Sequence, residues 1–486
     1  MLTSGPIWSE FATTLAGKSW TPPQPLSSSD NLLDNRPALI SRPEGGILIA
    51  YSGDGRLHRE VDLTRDLGLR FLSSQSTPAG LINNDVFIAA LAAPKGSLAG
   101  EPLGPVETTK PAPPVHPKEA EDVARIRSHR VNAGAKSYQL LRGEFHRHTE
   151  ISLDGADDGA LEDMWRYAID AGRLDWIGCG DHDNGGTEYT WWITQKTTDL
   201  YHAAPRFVPL FTYERSVQYP GGHRNVMFPY RGVRTLPRLV DEKGVRTDVS
   251  GRDEDAEMLY AYLHELGGIC ASHTTATSMG TDWRTNDPEV EPFVEIYQGI
   301  RDSYEHLGAP RVPRQPEGSS GGWTPLGQVW NALALQYRLG FQASSDRVST
   351  HISFAIALAE EPTRKGIFEA FKKRHCYAAT DNIVLDVRSG DHLIGDEFTA
   401  QGPVTLKVFA RGTAPIKKVD VIKNFVYVYS TAPGTEETEF RWTDEETSPV
   451  GDLSWYYVRL IQEDGEIAWG SPIWVHNEKS TEVTKK

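Results

Sequence analysis

The chain is poor in cysteine, and its three cysteines are far apart in the sequence. They are Cys179, Cys270 and Cys376, among 486 residues. An odd number of cysteines at wide spacing implies neither a disulfide framework nor a cysteine-based zinc site. Because Cys179 and Cys270 stand in apolar runs, we expect them to be small buried side chains rather than reactive thiols.

Long apolar runs are also absent, and the charge balance is acidic. No run reaches the roughly 20 residues of a membrane-spanning helix, so no membrane partner is expected. The first residues, MLTSGPIWSEFATTLAGKSW, lack a charged region followed by an apolar region. We therefore expect a cytoplasmic protein, with a longer, trimmed precursor as the open alternative.

The formal net charge of −16 bears on the kind of partner. Nucleic acid is not expected as a general partner, because binding a phosphate backbone needs clustered lysine and arginine. A small anionic substrate is compatible with this charge, since its binding depends on local charge and a metal ion reverses the local sign.

Turn signals and composition divide the chain into four parts. Residues 1–103 contain short strand-like runs and turns, such as RPALISRPEGGILIAYSG, and are predicted to form a β-rich module. Residues 104–137 contain the proline-rich KPAPPVHP followed by a helix-like segment, which indicates a linker and a helix. Short alternating strands over 381–486 predict a C-terminal β-sandwich.

Residues 138–380 alternate between strand-like and helix-like segments. The strand-like segments are SYQLLRGEFH, LDWIGCGDHD, RFVPLFTYERSV, ICASHT, FVEIYQG and FQASSD. Amphipathic segments such as GALEDMWRYAIDAG and DEDAEMLYAYLHELGG lie between them. This alternation predicts an α/β unit, a parallel sheet or barrel with its helices on the outside.

Metal-binding side chain types follow one predicted strand after another in this unit. His146 and His148 end the first strand two residues apart, so on a strand they point to the same face. The later strand ends carry Asp181, His182 and Asp183 in GDHD, Glu214 in FTYERS, His223 in GGHRNV, His273 in ASHTT and Asp346 in ASSDR. Each has a structural explanation when taken alone, such as a cap or a salt bridge. The carboxyl ends of barrel strands converge on one face, so their recurrence predicts a single metal centre.

The donor set indicates which ions this centre would bind. Histidine with carboxylate, and without cysteine, suits Zn, Mn or Fe in a hydrolytic centre. A carboxylate such as Glu214 can bridge two ions. We therefore expect two or three divalent metal ions, which lower the pKa of a bridging water and stabilise an anionic transition state.

The strand-end motifs also resemble those of a known family. GEFHRHTEISLD, GCGDHDNG, YERS with GGHRNVMF, ASHT and ASSD are similar, in order and spacing, to the motifs of the PHP (polymerase and histidinol phosphatase) superfamily. The resemblance covers residues 138–380 and implies a distorted (β/α)7 barrel, here between the N-terminal β-rich module and the C-terminal β-sandwich. Its better-known members hydrolyse phosphate mono- or diesters. The continuation FEAFKKRHCYAATDNIVLDVRSGDHLIGDEF is similar to a largely uncharacterised branch with a β-sandwich tail.

The resemblance implies a role for each motif residue. The ligands of the first ion would be His146 and His148, with Glu214 bridging two ions and Asp346 closing the site; the second ion would be bound by His223 and His273, and the third by Asp154 and His182. The family usually closes with Asp-x-His, whereas this chain has DRVSTH. We take His351 as the replacement ligand, with a weak or absent third site as the alternative.

Arginines next to the ligands are candidates for binding phosphate, because a guanidinium binds phosphate oxygens in a bidentate way. They are Arg147, Arg215, Arg224 and Arg347. Side chains adjacent to a strand ligand point to the opposite face, which argues against Arg147 and Arg215. We assign catalytic roles to Glu214, His182, Asp346 and Arg224.

The function expected from these residues is that of a metal-dependent hydrolase, a phosphoesterase acting on a small anionic substrate. A metal-bridging hydroxide would attack phosphorus in line, and His182 or His351 would protonate the leaving oxygen if not bound to metal. Two alternatives stay open: hydrolysis of a non-phosphate ester, amide or lactone, and a metal-containing binding protein without turnover. The sequence leaves open the substrate, the native metal and whether the chain forms an oligomer.

Overall fold

The structure is a computed structural model, and it describes the chain in segments. These are residues 9–16, 19–31, 37–53, 85–92, 116–152, 159–183, 188–237, 254–346, 352–446 and 453–477. Within these segments, no helix has the length and apolar character needed to cross a membrane. The fold is mixed α/β, with much sheet and a strand-rich C-terminal region, which confirms the predicted fold class at this level.

The N-terminal part consists of short antiparallel strands. They are β1 Phe11–Ala12, β2 Leu15–Ala16, β3 Ser19–Trp20, β4 Gln24–Pro25, β5 Ala38–Ser41, β6 Ile47–Gly53 and β7 Asp85–Leu91. Strand β1 pairs with β4 and β2 with β3, while β5, β6 and β7 form a three-stranded sheet. Much of the predicted 1–103 module lies outside the described residues, so its boundary stays a prediction.

Helices and strands alternate through the central part. The elements are α1 Glu119–Ser128, β8 Arg130–Ala133, β9 Lys136–Glu144, α2 Leu161–Asp170, β10 Trp176–Gly178, α3 Glu188–Leu200, β11 Val208–Arg215, β12 Arg224–Phe228, α4 Glu254–Leu266, β13 Ile269–Ser272, β14 Phe293–Gln298, α5 Val329–Ala334, β15 Gly340–Ser344, β16 Phe354–Ala359, α6 Arg364–Lys372 and β17 Cys376–Ala379. Short 3-10 turns cover Glu150–Ser152, Pro316–Gly318 and Pro325–Gly327. The amphipathic α2 buries Leu161, Met164, Trp165 and Ala168 against the sheet.

These strands form one sheet in the order β15-β14-β13-β12-β11-β10-β9-β16-β17. Neighbours are parallel from β9 to β11 and from β13 to β15, whereas β12 is antiparallel to both of its neighbours. Past the end of β15, the Asp346 amide donates to the His146 carbonyl at 2.9 Å. The segments that follow β9 and β15 therefore meet at the edge where the carboxyl ends of the parallel strands lie.

One hydrophobic core contains side chains from most of these strands. Phe371 of α6 lies among side chains of the strands, with ring centroids 5.1 Å from Phe145 and 5.0 Å from Phe293. Gly143 of β9 allows the neighbouring Trp176 to pack closely, since a Cβ at position 143 would lie 2.3 Å from the indole. This packing fixes β9 against β10, and with it the histidines that follow β9.

The C-terminal part is made of strands alone in the described residues. They are β18 Val384–Ser389, β19 His392–Leu393, β20 Glu397–Ala400, β21 Thr405–Arg411, β22 Ile416–Lys423, β23 Val426–Thr431, β24 Glu437–Thr443, β25 Leu453–Gln462, β26 Ile467–Gly470 and β27 Ile473–Asn477. One sheet has the order β19-β18-β21-β24. The other continues the central sheet, because β26 pairs with β17 and is followed by β25, β22 and β23.

Candidate metal centre

The strand-end residues come together at one edge of the central sheet. His146 and His148 follow β9, His182 follows β10, Glu214 lies near the end of β11, His223 precedes β12, His273 follows β13 and Asp346 follows β15. All seven are buried. His223 reaches the same edge from the start of its strand because β12 runs antiparallel to β11.

The Glu214 carboxylate lies between two groups of side chains, and its Oε1 faces the first of them. This oxygen is 2.5 Å from Nδ1 of His223, 3.1 Å from Nδ1 of His182 and 3.5 Å from Nε2 of His273. Three imidazoles on one carboxylate oxygen form a compact set of donors for a cation.

The other oxygen, Oε2 of Glu214, faces the second group. It is 3.2 Å from Nε2 of His146 and 3.3 Å from Nε2 of His148. Oδ1 of Asp346 lies 3.2 Å from the same His148 nitrogen. The backbone of Asp346 has φ of +67°, in the left-handed region that is uncommon for residues other than glycine.

The donor atoms form four overlapping groups, each with atoms within 4.8 Å of one another. The groups are His146, His148 and Asp346; Glu214, His223 and His273; His148, His182 and Glu214; and His146, His273 and Glu295. Buried histidine and carboxylate groups of this kind can hold metal ions.

Unpaired buried atoms give an independent test of that fit. Glu214 Oε2, His223 Nε2 and His273 Nε2 are buried and have no hydrogen-bond partner among the described residues. Buried polar atoms are rarely left unpaired in proteins. The residues present therefore fit a centre of divalent cations.

Carboxylates behind the histidines orient them. Nδ1 of His146 lies 3.1 Å from Oε2 of Glu295, and the amide of Gln298 donates to Oε1 of Glu295 at 3.1 Å. A carboxylate on the far nitrogen of an imidazole fixes the tautomer of a ligand and raises its basicity. Glu295 was not among the predicted site residues, although an acid within the apolar FVEIYQG was a signal for it.

Asp181 has a similar role behind His148. Nδ1 of His148 lies 2.7 Å from Oγ of Ser152, and this hydroxyl donates to Oδ1 of Asp181 at 2.9 Å. The hydroxyl of Thr149 donates to the other oxygen of Asp181 at 2.7 Å. His148 is thus held by a short chain of hydrogen bonds that ends on a buried carboxylate.

The pKa values of the carboxylates favour ligation. Burial alone would raise the pKa of Glu214, but the surrounding imidazoles, His182 first, hold it well below its usual range. Burial likewise opposes ionisation of Asp346, and His146 and His148 lower its pKa. Both carboxylates are therefore ionised, as metal ligands must be.

The pKa values of the histidines divide into two sets. Burial lowers the pKa of His223, and burial together with the nearby His146 lowers the pKa of His273 to about 3, so both are neutral. The pKa of His146 and His148 is raised, because their carboxylate neighbours outweigh burial. Metal binding to those two would therefore release protons.

Two of the predicted ligands, Asp154 and His351, lie outside the described residues, as does Arg347. Their roles stay predictions. The structure brings together the other seven predicted metal ligands.

The predicted catalytic Arg224 is paired on the far side of its strand. Its Nε lies 3.1 Å from Oε1 of Glu291, and its Nη2 lies 3.2 Å from the hydroxyl of Tyr260. Arg215 is bound in the same manner, 3.0 Å from Oδ2 of Asp183 and 3.1 Å from Oδ1 of Asp255. A catalytic role for Arg224 stays a prediction, and this pairing gives it a structural role.

Arg147 also lies away from the donor atoms. Its guanidinium carbon is 5.8 Å from the ring centre of Tyr167 on α2, and its Nε is 3.9 Å from Oε1 of Glu144. A different arginine reaches the centre. Nε of Arg301 lies 3.4 Å from Oδ2 of Asp346, a contact that sequence reasoning missed because Arg301 adjoins no predicted ligand.

Residues 318–322 read GSSGG and so match the letters Gly-x-Ser-x-Gly. The nucleophile elbow of α/β-hydrolases is a sharp turn from a strand into a helix. These residues follow a 3-10 turn instead, and no strand or helix flanks them directly. The match therefore gives no support for a serine nucleophile.

No family model matches the chain. An uncharacterized protein of Chlamydia trachomatis is 25% identical over 374 residues, which are 70% of this chain and 58% of that protein. A Chlamydia muridarum protein is 24% identical over 372 residues, 70% of this chain and 58% of its own length. A Chlamydia pneumoniae protein is 25% identical over 371 residues, with 69% and 56% covered. The chain therefore spans less than two thirds of the length of these relatives.

Among solved structures, the chain is similar to a two-domain protein from Bacteroides vulgatus that contains a predicted PHP-like metal-dependent phosphoesterase. The sequence identity is 13% and the TM-score is 0.34, over 72% of this chain and 98% of that chain. A similarity at this TM-score carries no argument about fold or activity.

Proposed function

We propose that the chain is a metal-dependent hydrolase that cleaves phosphoesters. The observation that carries the proposal is the Glu214 carboxylate, whose two oxygens face two different sets of imidazoles. We also propose that the central strands belong to a distorted (β/α)7 barrel of the PHP type, as the sequence motifs imply. The substrate would be a small anion.

The residues of the centre would have different roles in binding the metal ions. Glu214 would bridge two divalent ions, with His146, His148 and Asp346 on one side and His223 and His273 on the other. When bound, such ions lower the pKa of water and neutralise charge that develops on the phosphoryl oxygens. Burial of the donors excludes bulk water, which strengthens every electrostatic interaction within the centre.

His182 is the proposed proton donor to the leaving oxygen. Its Nδ1 lies 3.1 Å from Oε1 of Glu214 and also contacts the Ser216 hydroxyl, which fixes the orientation of the ring. A positioned imidazole near neutral pH is suited to general acid catalysis. If His182 binds a third ion with Asp154 and His351, this role would pass to another group.

The experiment is a panel of phosphate mono- and diesters, assayed with and without Mn²⁺ and a chelator. We expect chelator-sensitive phosphoester hydrolysis that Glu214→Ala abolishes while the circular dichroism spectrum stays unchanged. The matched control is Glu257→Ala, at an exposed position on α4, which should keep full activity. A fully active Glu214→Ala protein would refute the proposal.

The same panel should include carboxylic esters, amides and lactones. Turnover of these substrates without phosphoester hydrolysis would replace the phosphoesterase by a hydrolase of another bond. Tight metal retention without any turnover would support a binding protein instead.

A further inference from the structure

Arg301 extends from the loop after β14 to the edge of the metal centre. Its Nε is 3.4 Å from Oδ2 of Asp346, and 16% of its side chain is exposed. Its Nη1 lies 3.3 Å from the carbonyl oxygen of Ser320, to which it donates. The side chain is therefore held beside a proposed ligand, and part of it is open to solvent.

Several buried polar atoms of Arg301 and its neighbours have no hydrogen-bond partner among the described residues. Nε of Arg301 has no hydrogen-bond partner among the described residues, because its contact with Asp346 lacks hydrogen-bond geometry. The Tyr304 hydroxyl and Oε1 of Gln298 are also buried without a partner there. Burial raises the pKa of Tyr304 well above its ordinary value although Arg301 opposes this, so the hydroxyl stays protonated. Two of these atoms, Nε of Arg301 and the Tyr304 hydroxyl, can donate hydrogen bonds, and a bound group that accepts hydrogen bonds would satisfy them.

The other arginines near the ligands differ in this respect. Nε and Nη1 of Arg215 donate to Asp255 and Asp183, and Nε of Arg224 donates to Glu291. These guanidinium groups are occupied by buried carboxylates of the protein itself. Among the described residues, the carboxylate that Arg301 contacts is that of Asp346, which is shared with His146 and His148, and the Asp302 carboxylate also interacts with Arg301 electrostatically.

The loop that carries Gly321 leaves room for the guanidinium. A Cβ at position 321 would lie 2.6 Å from Nη1 of Arg301, and the backbone there has φ of +98°, which favours glycine. The hydroxyl of Ser278 donates to the Gly321 carbonyl at 2.7 Å, which ties this loop to the one after β13. The loop that carries Ser320 and Gly321 therefore packs against the guanidinium of Arg301.

We propose that Arg301 binds the phosphoryl group of the substrate next to the metal centre. A guanidinium presents paired donors that match two phosphoryl oxygens, and it keeps its charge at every working pH. This inference rests on the proposed function, since it names the group that holds the anionic part of that substrate.

The test is calorimetric titration of the Mn²⁺-loaded protein with inorganic phosphate. We expect Arg301→Met to weaken phosphate binding by about 10- to 100-fold, the range for loss of a charged hydrogen-bond donor, while metal content stays unchanged. Arg301→Lys should recover part of the affinity, because it restores the charge without the planar fork. The control is Arg411→Met, which removes a half-exposed arginine paired with Glu437 in the C-terminal part.

Unchanged phosphate affinity in Arg301→Met would overturn the inference. Loss of metal in that variant would do the same, since Arg301 would then serve to position Asp346. A parallel titration with acetate separates the kinds of anion: equal dependence on Arg301 would overturn its assignment to the phosphoryl group. If the methionine variant does not fold, the lysine variant decides, with weaker phosphate binding than wild type expected. Because phosphate binding needs no turnover, absence of phosphoester hydrolysis would refute the proposed function without deciding this question.

Discussion

At the scale of single residues, the centre depends on side chains that hold other side chains. Glu214 lies within 3.5 Å of five imidazoles, and Glu295 and Asp181 act behind His146 and His148. Carboxylates at the far nitrogen of a ligand histidine tune affinity as well as orientation. Their loss should therefore affect metal binding without unfolding the protein.

Glu295→Gln provides the first prediction. The neutral amide keeps the size of the side chain but removes the charge 3.1 Å from Nδ1 of His146. We expect the metal affinity to fall by about 10- to 100-fold, in the range seen for such partners of ligands. Competition with a fluorescent chelator measures this, with Glu257→Gln as the control. Equal affinities in the two variants would show that Glu295 does not support His146.

The strand-end residues that the structure brings together could be found in the sequence, whereas Glu295 and Arg301 were missed. His146 and His148 lie two residues apart just after β9, and the carboxyl ends of neighbouring strands converge, so local spacing was enough to group them. Glu295 and Arg301 reach the centre from the strand and loop of β14, about 150 residues away along the chain from His146. The acid within FVEIYQG was a signal for Glu295, but no local pattern marked the contact of Arg301 with Asp346.

At the scale of elements, two local contacts bear on stability. One is the N-cap of α6, and the other is the hydrogen bond between His375 and Asp396, just before β20. Helix α6 is amphipathic, and it buries Ile367 and Phe371 in the core that the strands share. Its sequence is RKGIFEAFK, with apolar residues at helical spacing. The place of Phe371 against Phe145 and Phe293 depends on tertiary packing that this pattern does not contain.

The N-cap of α6 offers a second prediction. The hydroxyl of Thr363 accepts a hydrogen bond from the amide of Gly366 at 3.0 Å. Thr363→Ala should lower the free energy of unfolding by about 1 kcal/mol, the typical value of such a cap. Urea denaturation measures the loss, and Thr363→Ser should retain most of the stability because it keeps the hydroxyl. A loss of equal size in both variants would contradict the role of the cap.

Asp396 gives a prediction about pH. Burial opposes its ionisation, but the hydrogen bond from Nε2 of His375, at 2.7 Å, lowers the pKa of Asp396 below its ordinary value. A lowered pKa in the folded state stabilises the fold above the unfolded-state pKa, near pH 4. That stability is lost as the pH falls through the folded-state value.

Asp396→Asn should therefore lower the free energy of unfolding at pH 7 by about 1–2 kcal/mol. It should also make the decline in stability below pH 4 less steep than in the wild type. Denaturation curves between pH 2 and pH 7 test both statements. Parallel declines in the two proteins would mean that Asp396 contributes nothing that depends on its charge.

At the scale of the whole molecule, the sheet does not stop where the sequence pattern changes. The change near residue 380 indicated a boundary, but β17 pairs with β26, and the C-terminal strands continue the central sheet. Pairing between strands about 90 residues apart cannot be read from local periodicity. The division into a central domain, residues 138–380, and a C-terminal domain, residues 381–486, stays a prediction.

A buried ion pair also joins the two parts. Nη1 of Arg459 on β25 lies 2.9 Å from both carboxylate oxygens of Glu305, and the Tyr457 hydroxyl and Trp469 indole also donate to that carboxylate. Arg459 is 3% exposed and Glu305 is fully buried. Removing one partner of a buried pair leaves an uncompensated charge.

Arg459→Met should lower the free energy of unfolding by about 3–5 kcal/mol. The double variant with Glu305→Gln should recover part of this loss, because the buried charge is removed as well. A double-mutant cycle in guanidinium chloride measures the coupling. Additive losses would show that the pair does not link the two parts.

Elemental analysis of the purified protein measures whether the buried histidine and carboxylate groups hold divalent metal ions, as we propose. We expect two or three ions of Mn, Zn or Fe per chain in the wild type. We also expect a clear loss of metal in folded Glu214→Ala and no loss in Glu257→Ala. A folded wild-type protein that binds no transition metal, even after incubation with Mn²⁺, would show that these residues do not form a metal centre.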